Sequence, residues 1–314
     1  MNEVSSAPRP VPFVISRLLY PVYFFGAIGI ALLAIRSHWS YGIASGAIIG
    51  GTALTLILLE AIYPARHEWR MTFRSFLRDL KYIASGLTSA ALGGYLGTLI
   101  ALQVVGHGFH WVADLPLYFA VPLAILVFDF AQYWVHRWMH SDTWPLGNLM
   151  WRIHVGHHLP DRLYVLMHPA GHPLNEFLVR QLLNVGMIWL IGFNKETVLI
   201  FTLITGVGGL FSHFNLDVRA GFLNYFFVST ELHRYHHSAD PAEAKNFGII
   251  TPLWDIVFGT FVYRPGVLPE RIGVDNPALY PRSEQYWRVF MLPFLSRDNS
   301  AIDGEMGDRA RSAA

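Results

Sequence analysis

The chain has 314 residues, 53% of them hydrophobic and 14% charged, and its mean hydropathy of +0.35 is that of a membrane protein. A formal net charge of +1 excludes the broad basic field that nucleic-acid binding needs. The absence of cysteine excludes disulfides, iron-sulfur ligation and thiolate-bound haem, so nitrogen and oxygen are the only ligands left for a metal.

Residues 1–12 are rich in proline and are predicted to be disordered. Apolar stretches at 18–35, 41–63, 83–105 and 115–135 are each long enough to cross about 30 Å of hydrocarbon. The first reads as a retained anchor, because it is long and a second span follows at once. Gly42, Gly46 and Gly50 set a small-residue stripe along the second span, which is predicted to pack against another helix of the bundle. Arg66, Arg70, Arg74 and Arg78 then recur every four residues with Trp69, Phe73, Phe76, Leu77 and Leu80 among them. That pattern predicts an interfacial amphipathic helix whose basic edge meets anionic headgroups.

Charge sets the orientation. Arg9 and Arg17 precede the first span, only Arg36 lies between the first two, and Lys81 adds to the arginine run before the third, so the amino terminus and that connection are predicted to be cytoplasmic. Four crossings bring His136 out on the same side. Segments 177–191 and 198–210 are short for full crossings and predict a helical pair that enters and returns. A cap over 229–280 and a disordered tail over 296–314 follow. The expected architecture is all-α: an integral membrane bundle of four spans plus a short helical pair, carrying a cytoplasmic histidine-rich cap, with 13–295 as a single domain.

Three clusters gather eight of the fifteen histidines: His136 and His140; His154, His157 and His158; His233, His236 and His237. On a helix, positions i, i+3 and i+4 project from one face, so each cluster aims its imidazoles at one point. Neutral imidazole suits iron, zinc, copper or nickel, and eight rings exceed the needs of one tetrahedral ion, so the count predicts two metals. Asp129, Tyr133, His136 and His140 share a helical face. Asp129 is predicted to accept the second N–H of a ligand histidine and so fix its ring, with Asp255 and Glu231 as secondary choices for that role. A bis-His haem carrier needs one histidine on each of two helices and leaves most of these unexplained. His67-Glu68 lacks the second histidine of a zinc protease, and no Glu-x-x-His pair of a carboxylate-type diiron bundle is present.

Together the run from Asp129 through Tyr133 to His136 and Arg137, His172-Pro173-Leu174, His213 with Asn215, Asn246 with Gly248, and the run from Trp254 and Asp255 to Gly259 and Phe261 resemble the fatty-acid hydroxylase and sterol desaturase superfamily of membrane oxygenases. The resemblance covers roughly 120–263. It implies a diiron centre, dioxygen as co-substrate, an external electron-transfer protein, and a lipid C–H bond as target: a sterol, carotenoid, acyl chain or polar lipid. It draws His213 and His172 into the ligand set and makes His168 a residue beside the site. The sequence departs from some relatives in its His-x-x-x-His first motif and in Asp217, which stands where some fatty-acid hydroxylases have a further histidine. No fused cytochrome b5 module is expected. Hydroxylation is favoured over desaturation by the same site, and the oligomeric state, the lipid and the type of membrane, bacterial inner or ER-like, stay open.

Overall fold

The computed structural model describes residues 10–104, 110–141, 143–177 and 191–295. Its helices are α1 (Phe13–Arg36), α2 (Tyr41–Ile62), α3 (Phe73–Val104), α4 (Leu117–Met139), α5 (Gly147–His158), α6 (Lys195–Ser212), α7 (Thr230–His236), α8 (Leu253–Val257) and α9 (Tyr286–Met291), joined by single helical turns and loops, with no strand among the described residues. Four of them, α1, α2, α4 and α6, are long and apolar enough to cross a membrane. Three fall on the expected spans 18–35, 41–63 and 115–135. The fourth lies on 198–210, and it is longer than the apolar run suggested because Asn194 accepts the Thr197 amide at 2.8 Å and starts the helix at Lys195. The expected span 83–105 is helical to residue 104 as the far part of α3. The segment 177–191, expected to pair with 198–210, lies almost wholly outside the described residues, as do 1–9 and 296–314 at the two termini.

The bundle centres on α6, against which α1, α2 and α4 all pack. The core is made by Ala27, Ala31 and Ala34 of α1, Leu56 of α2, Ala124 and Phe128 of α4, and Leu203, Val207 and Phe211 of α6. The outward faces of α1 and α2 are apolar too, with Phe13, Val22, Ile43, Leu54 and Leu58 exposed. A helix apolar on all sides is solvated by lipid, where every backbone group is satisfied internally. Close approach of α2 and α6 uses Gly206, where a Cβ would come within 2.6 Å of Ile49 Cδ1. The glycine stripe of α2 does not serve it. Gly42, Gly46 and Gly50 are exposed, and nothing lies within 4 Å of a Cβ built on any of them, so the predicted packing of that face within the bundle is corrected.

The basic connection also differs from expectation. His67–Trp69 is a 3-10 turn, the chain is extended at Arg70, and α3 starts afresh at Phe73, where Thr72 and Ser75 cap each other's amides at 2.8 and 3.2 Å. The break dephases the arginines. Arg78 is buried, donating to Asp79 Oδ1 from Nε (2.8 Å) and Nη2 (2.5 Å) and to Tyr164 Oη at 2.7 Å, while Tyr164 in turn donates to Asp79. It locks α3 to the loop before the second half of the site instead of facing headgroups.

Polar joints tie the elements together at the histidine end of the bundle. There Ser16 near the start of α1 donates to the Asp217 carbonyl at 2.6 Å, and Glu60 near the end of α2 accepts the Val165 and Asn215 amides at 3.1 and 3.3 Å. The amino-terminal end of α1, the connection between α2 and α3, and the carboxyl ends of α4 and α6 therefore share one side, as the charge pattern required.

Asp79→Ala strands the Arg78 guanidinium in the core. Thermal unfolding of the purified protein in detergent is expected to register a loss of about 3 to 5 kcal/mol.

Candidate metal centre

Four helices deliver histidines from their carboxyl ends. His136 sits in the last turn of α4 and His140 caps it; His154, His157 and His158 close α5; His213 caps α6; His233 and His236 lie in α7, which His237 caps. Helix carboxyl termini carry partial negative charge, about half an electron each, from carbonyls without an intrahelical partner. Four such ends aimed at one point favour a cation before any ligand is counted.

The rings form two groups. His136, His140, His154, His158 and His236 make one, and His157, His213, His233 and His237 the other, the ligand nitrogens within each group lying within 4.8 Å of one another. Each His-x-x-His-His motif straddles both. Its first and last rings are four residues apart and lean the same way, while the middle ring turns to the neighbouring group. The groups adjoin, with the His158 and His237 rings 4.4 Å apart between centroids.

Tautomers can be assigned where a ring nitrogen meets a backbone carbonyl, which only accepts. His136 Nδ1 donates to Phe247 O at 2.9 Å, His157 Nδ1 to Ala170 O at 3.2 Å and His236 Nδ1 to Lys245 O at 3.0 Å. Their Nε2 atoms therefore carry lone pairs that face inward. In the four-ring group Nε2 of His213 lies 3.0 Å from that of His157, 3.1 Å from that of His237 and 3.2 Å from that of His233. In the five-ring group Nε2 of His154 lies 3.2 and 3.1 Å from those of His136 and His158, and the buried Nε2 atoms of His140 and His236 have no protein partner. Burial first, then the neighbouring imidazoles, holds His154, His158, His236 and His237 well below the usual imidazole range, in the neutral, ligating form. Converging lone pairs with too few protons between them fit two metal ions, and the all-imidazole donor set suits a transition metal.

Nine of the ten predicted ligands are thus brought together. His172 is not. Its Nδ1 accepts the Leu174 amide at 3.1 Å, its Nε2 donates to Phe290 O at 2.8 Å, and its ring stacks on Phe290, so it caps the turn at Pro173 and braces the segment behind the site. His168 stands beside His213, with Nδ1 atoms 3.3 Å apart, in room left by Gly209, where a Cβ would lie 2.5 Å from His168 Nε2.

The carboxylates act differently from expectation. Asp129 touches no imidazole: its Oδ1 accepts the Ile249 and Ile250 amides at 3.0 Å and its Oδ2 the Thr251 amide at 2.8 Å. Asp255 accepts the Phe247 and Gly248 amides, both at 2.8 Å, and the Thr260 hydroxyl at 2.7 Å. Both grip the 247–251 turn, and through it they place the Phe247 carbonyl that orients His136. The turn needs glycine at 248, since a Cβ there would meet Thr251 O at 2.4 Å. Glu231 instead accepts from Ala220 and Asn224, each at 2.8 Å, and fixes the loop before α7. Sequence reasoning missed Glu60, whose only signal was a polar group with no apparent task. Asn246, which the resemblance had singled out without a role, has φ +59° and ties Leu232 O to Val262 through its side chain.

Two cavities reach the histidines from opposite directions. One of about 250 Å³ lies between α4 and α6 and is lined by Phe128, Gln132, His136, His157, Phe201 and Thr205 among others. The second, about 680 Å³, opens through the cap and reaches His140 and His158 past Trp151, Lys245 and Tyr280.

Fold and site together define a membrane protein with clustered histidines arranged as a metal site would be. Residues 121–260 match the fatty acid hydroxylase family model, and the match joins the curated relatives in supporting the fatty-acid hydroxylase superfamily. The chain is 26% identical to the ornithine lipid hydroxylase OlsE of Rhizobium tropici over 83% of its own length and 80% of the relative's. It is 27% identical to the fatty acid hydroxylase vlmA of a Lecanicillium species over 52% of its length and 46% of that protein's. No solved structure matches the chain.

His236→Ala is expected to cut metal content and lower affinity at least about tenfold, whereas His172→Ala should keep the metal stoichiometry of the parent, both read by elemental analysis of purified protein. Asp129→Asn should weaken metal retention by roughly 10-fold through the loosened turn, measured by chelator competition.

Proposed function

We propose that this protein is a membrane-bound, dioxygen-dependent lipid hydroxylase built on two iron ions, held by the five-histidine and four-histidine groups. The observation that carries the reading is the pair of imidazole groups, their inward lone pairs set by backbone carbonyls, at the end of a cavity between membrane helices. Imidazole donors alone admit several metals, and the hydroxylase relatives argue for redox-active iron. With iron bound, the centre would supply dioxygen activation and hydrogen removal from a C–H bond. In the balanced reaction one oxygen atom enters that bond and the other leaves as water, with two electrons and two protons from an external donor. The chain has no cysteine, hence no iron-sulfur route of its own, which supports a separate electron-transfer protein.

The residues perform the remaining tasks. Carbonyls of Phe247, Ala170 and Lys245 keep three rings from rotating, so the ligands need little reorganisation. The apolar walls of α4 and α6 hold a lipid beside His136 and His157 and keep bulk water out. Asp129 and Asp255 stiffen the turn that forms one side of the chamber. The arginines near the amino terminus and between α2 and α3 support a cytoplasmic histidine end, where a soluble reductant would reach it through the cap. As for substrate, the relatives' names give a polar aminolipid in one case and a fatty acid in the other, and the shared class is an acyl lipid.

Purified protein should hold about two irons per chain and consume dioxygen when given lipid and reductant. Comparative lipid mass spectrometry of cells with and without the gene should show a lipid that gains one oxygen. A product that only loses two hydrogens, or no change in any lipid, would overturn hydroxylation.

A further inference from the structure

The chamber beside the histidines is closed at its far end by two aromatic rings. Phe128 of α4 and Phe201 of α6 meet edge to face, with centroids 4.7 Å apart and planes at 77°, and both are buried. Both rings also line a second hollow on their other side, of only about 10 Å³, bounded by Ala124, Ile191, Phe193, Thr197 and Val198. That space is at the limit for one water molecule and too small for a hydrocarbon chain. The two rings are therefore a partition: open chamber on the histidine side, packed core on the other.

The helices set its distance from the metal ligands. Phe128 precedes His136 by eight residues and Phe201 precedes His213 by twelve, so the residues of the partition stand about 12 to 18 Å along the helix axes from the residues that carry these rings. Between them lies one layer of polar side chains, Gln132 and Thr205, each a helical turn or two from the histidines.

We infer that Phe128 and Phe201 form an end wall that measures the substrate, fixing how much lipid can extend past the histidines and so which carbon is presented to them. This rests on the hydroxylase reading. The wall selects lipids whose segment beyond the oxidised carbon is short enough to end at the phenyl rings, and longer segments are refused because the hollow behind them is too narrow for a chain. Neither residue touches a histidine in either group, so the wall acts on position and length and leaves the metal ligands alone.

The test uses the metal-loaded full-length protein with free fatty acids and ornithine lipids of stepped acyl length. Phe201→Ala and Phe128→Ala join the chamber to the hollow behind it. Turnover of the longest relative to the shortest substrates should rise roughly tenfold, with the inserted oxygen moving along the chain. Phe201→Trp thickens the wall and should shift preference toward shorter chains, while Phe201→Leu keeps most of the packing and guards against simple loss of fold. The same acyl series is scored for binding by native mass spectrometry, which needs no turnover. An unchanged length preference in both binding and oxidation, in variants that retain the parent's metal content, overturns the wall. Altered binding preference in a protein that oxygenates no lipid at all would uphold the wall and overturn the hydroxylase reading instead.

Discussion

Four helices ending at one point impose the central constraint on this molecule. Each carboxyl terminus brings unpartnered carbonyls and a partial negative charge, and each brings histidines in its last turn or at its cap. Gathering nine imidazoles, most of them buried, with several nitrogen pairs 3.0 to 3.2 Å apart and lone pairs turned toward one another, is unfavourable without a cation. With cations present the same geometry becomes a chelate whose field comes from helix ends as well as rings.

The rest of the polar core serves that convergence at one remove. Backbone carbonyls hold the outer nitrogens of His136, His157 and His236, so the loops that supply those carbonyls have to be stiff. Asp129 and Asp255 clamp the turn after Phe247, Glu231 anchors the approach to α7, and Glu60 joins the loops around Val165 and Asn215. Buried carboxylates are expensive, and here Asp129, Asp255 and Glu60 are satisfied mainly by backbone amides. The arrangement divides the labour: carbonyls orient imidazoles, and carboxylates orient the segments that carry the carbonyls.

The centre also separates two environments. The chamber between α4 and α6 ends in phenyl rings inside the membrane bundle, whereas the larger cavity on the cap side is lined by Arg137, Asn148, Lys245 and Asp275. A lipid can approach from the first and small polar reactants from the second, without either crossing the other's path. The histidines stand between them, with His136, His154 and His157 on the wall of the first and His140 and His158 on the wall of the second.

Much of this was legible in the residues. Apolar run lengths gave three of the spans, and the i, i+3, i+4 spacing gave the three clusters, because both are local consequences of helical geometry. The resemblance added His213. What the local pattern could not decide was which nitrogen faces which neighbour. His172 shares a histidine's chemistry with the others, but the turn beginning at Pro173 uses its Nδ1 and the distant Phe290 carbonyl uses its Nε2. Asp129 lies on the same helical face as His136, yet a loop more than a hundred residues later in the chain claims its oxygens. Arg78 keeps the arginine period in sequence, while the interruption of the helix at Arg70 and the adjacent Asp79 turn it inward. The sequence by itself determined the elements and the ligand type, since these follow from periodicity and side-chain chemistry. Only the tertiary structure decided the partition of rings into two groups and the partners of each carboxylate, because those depend on contacts between segments far apart in the chain.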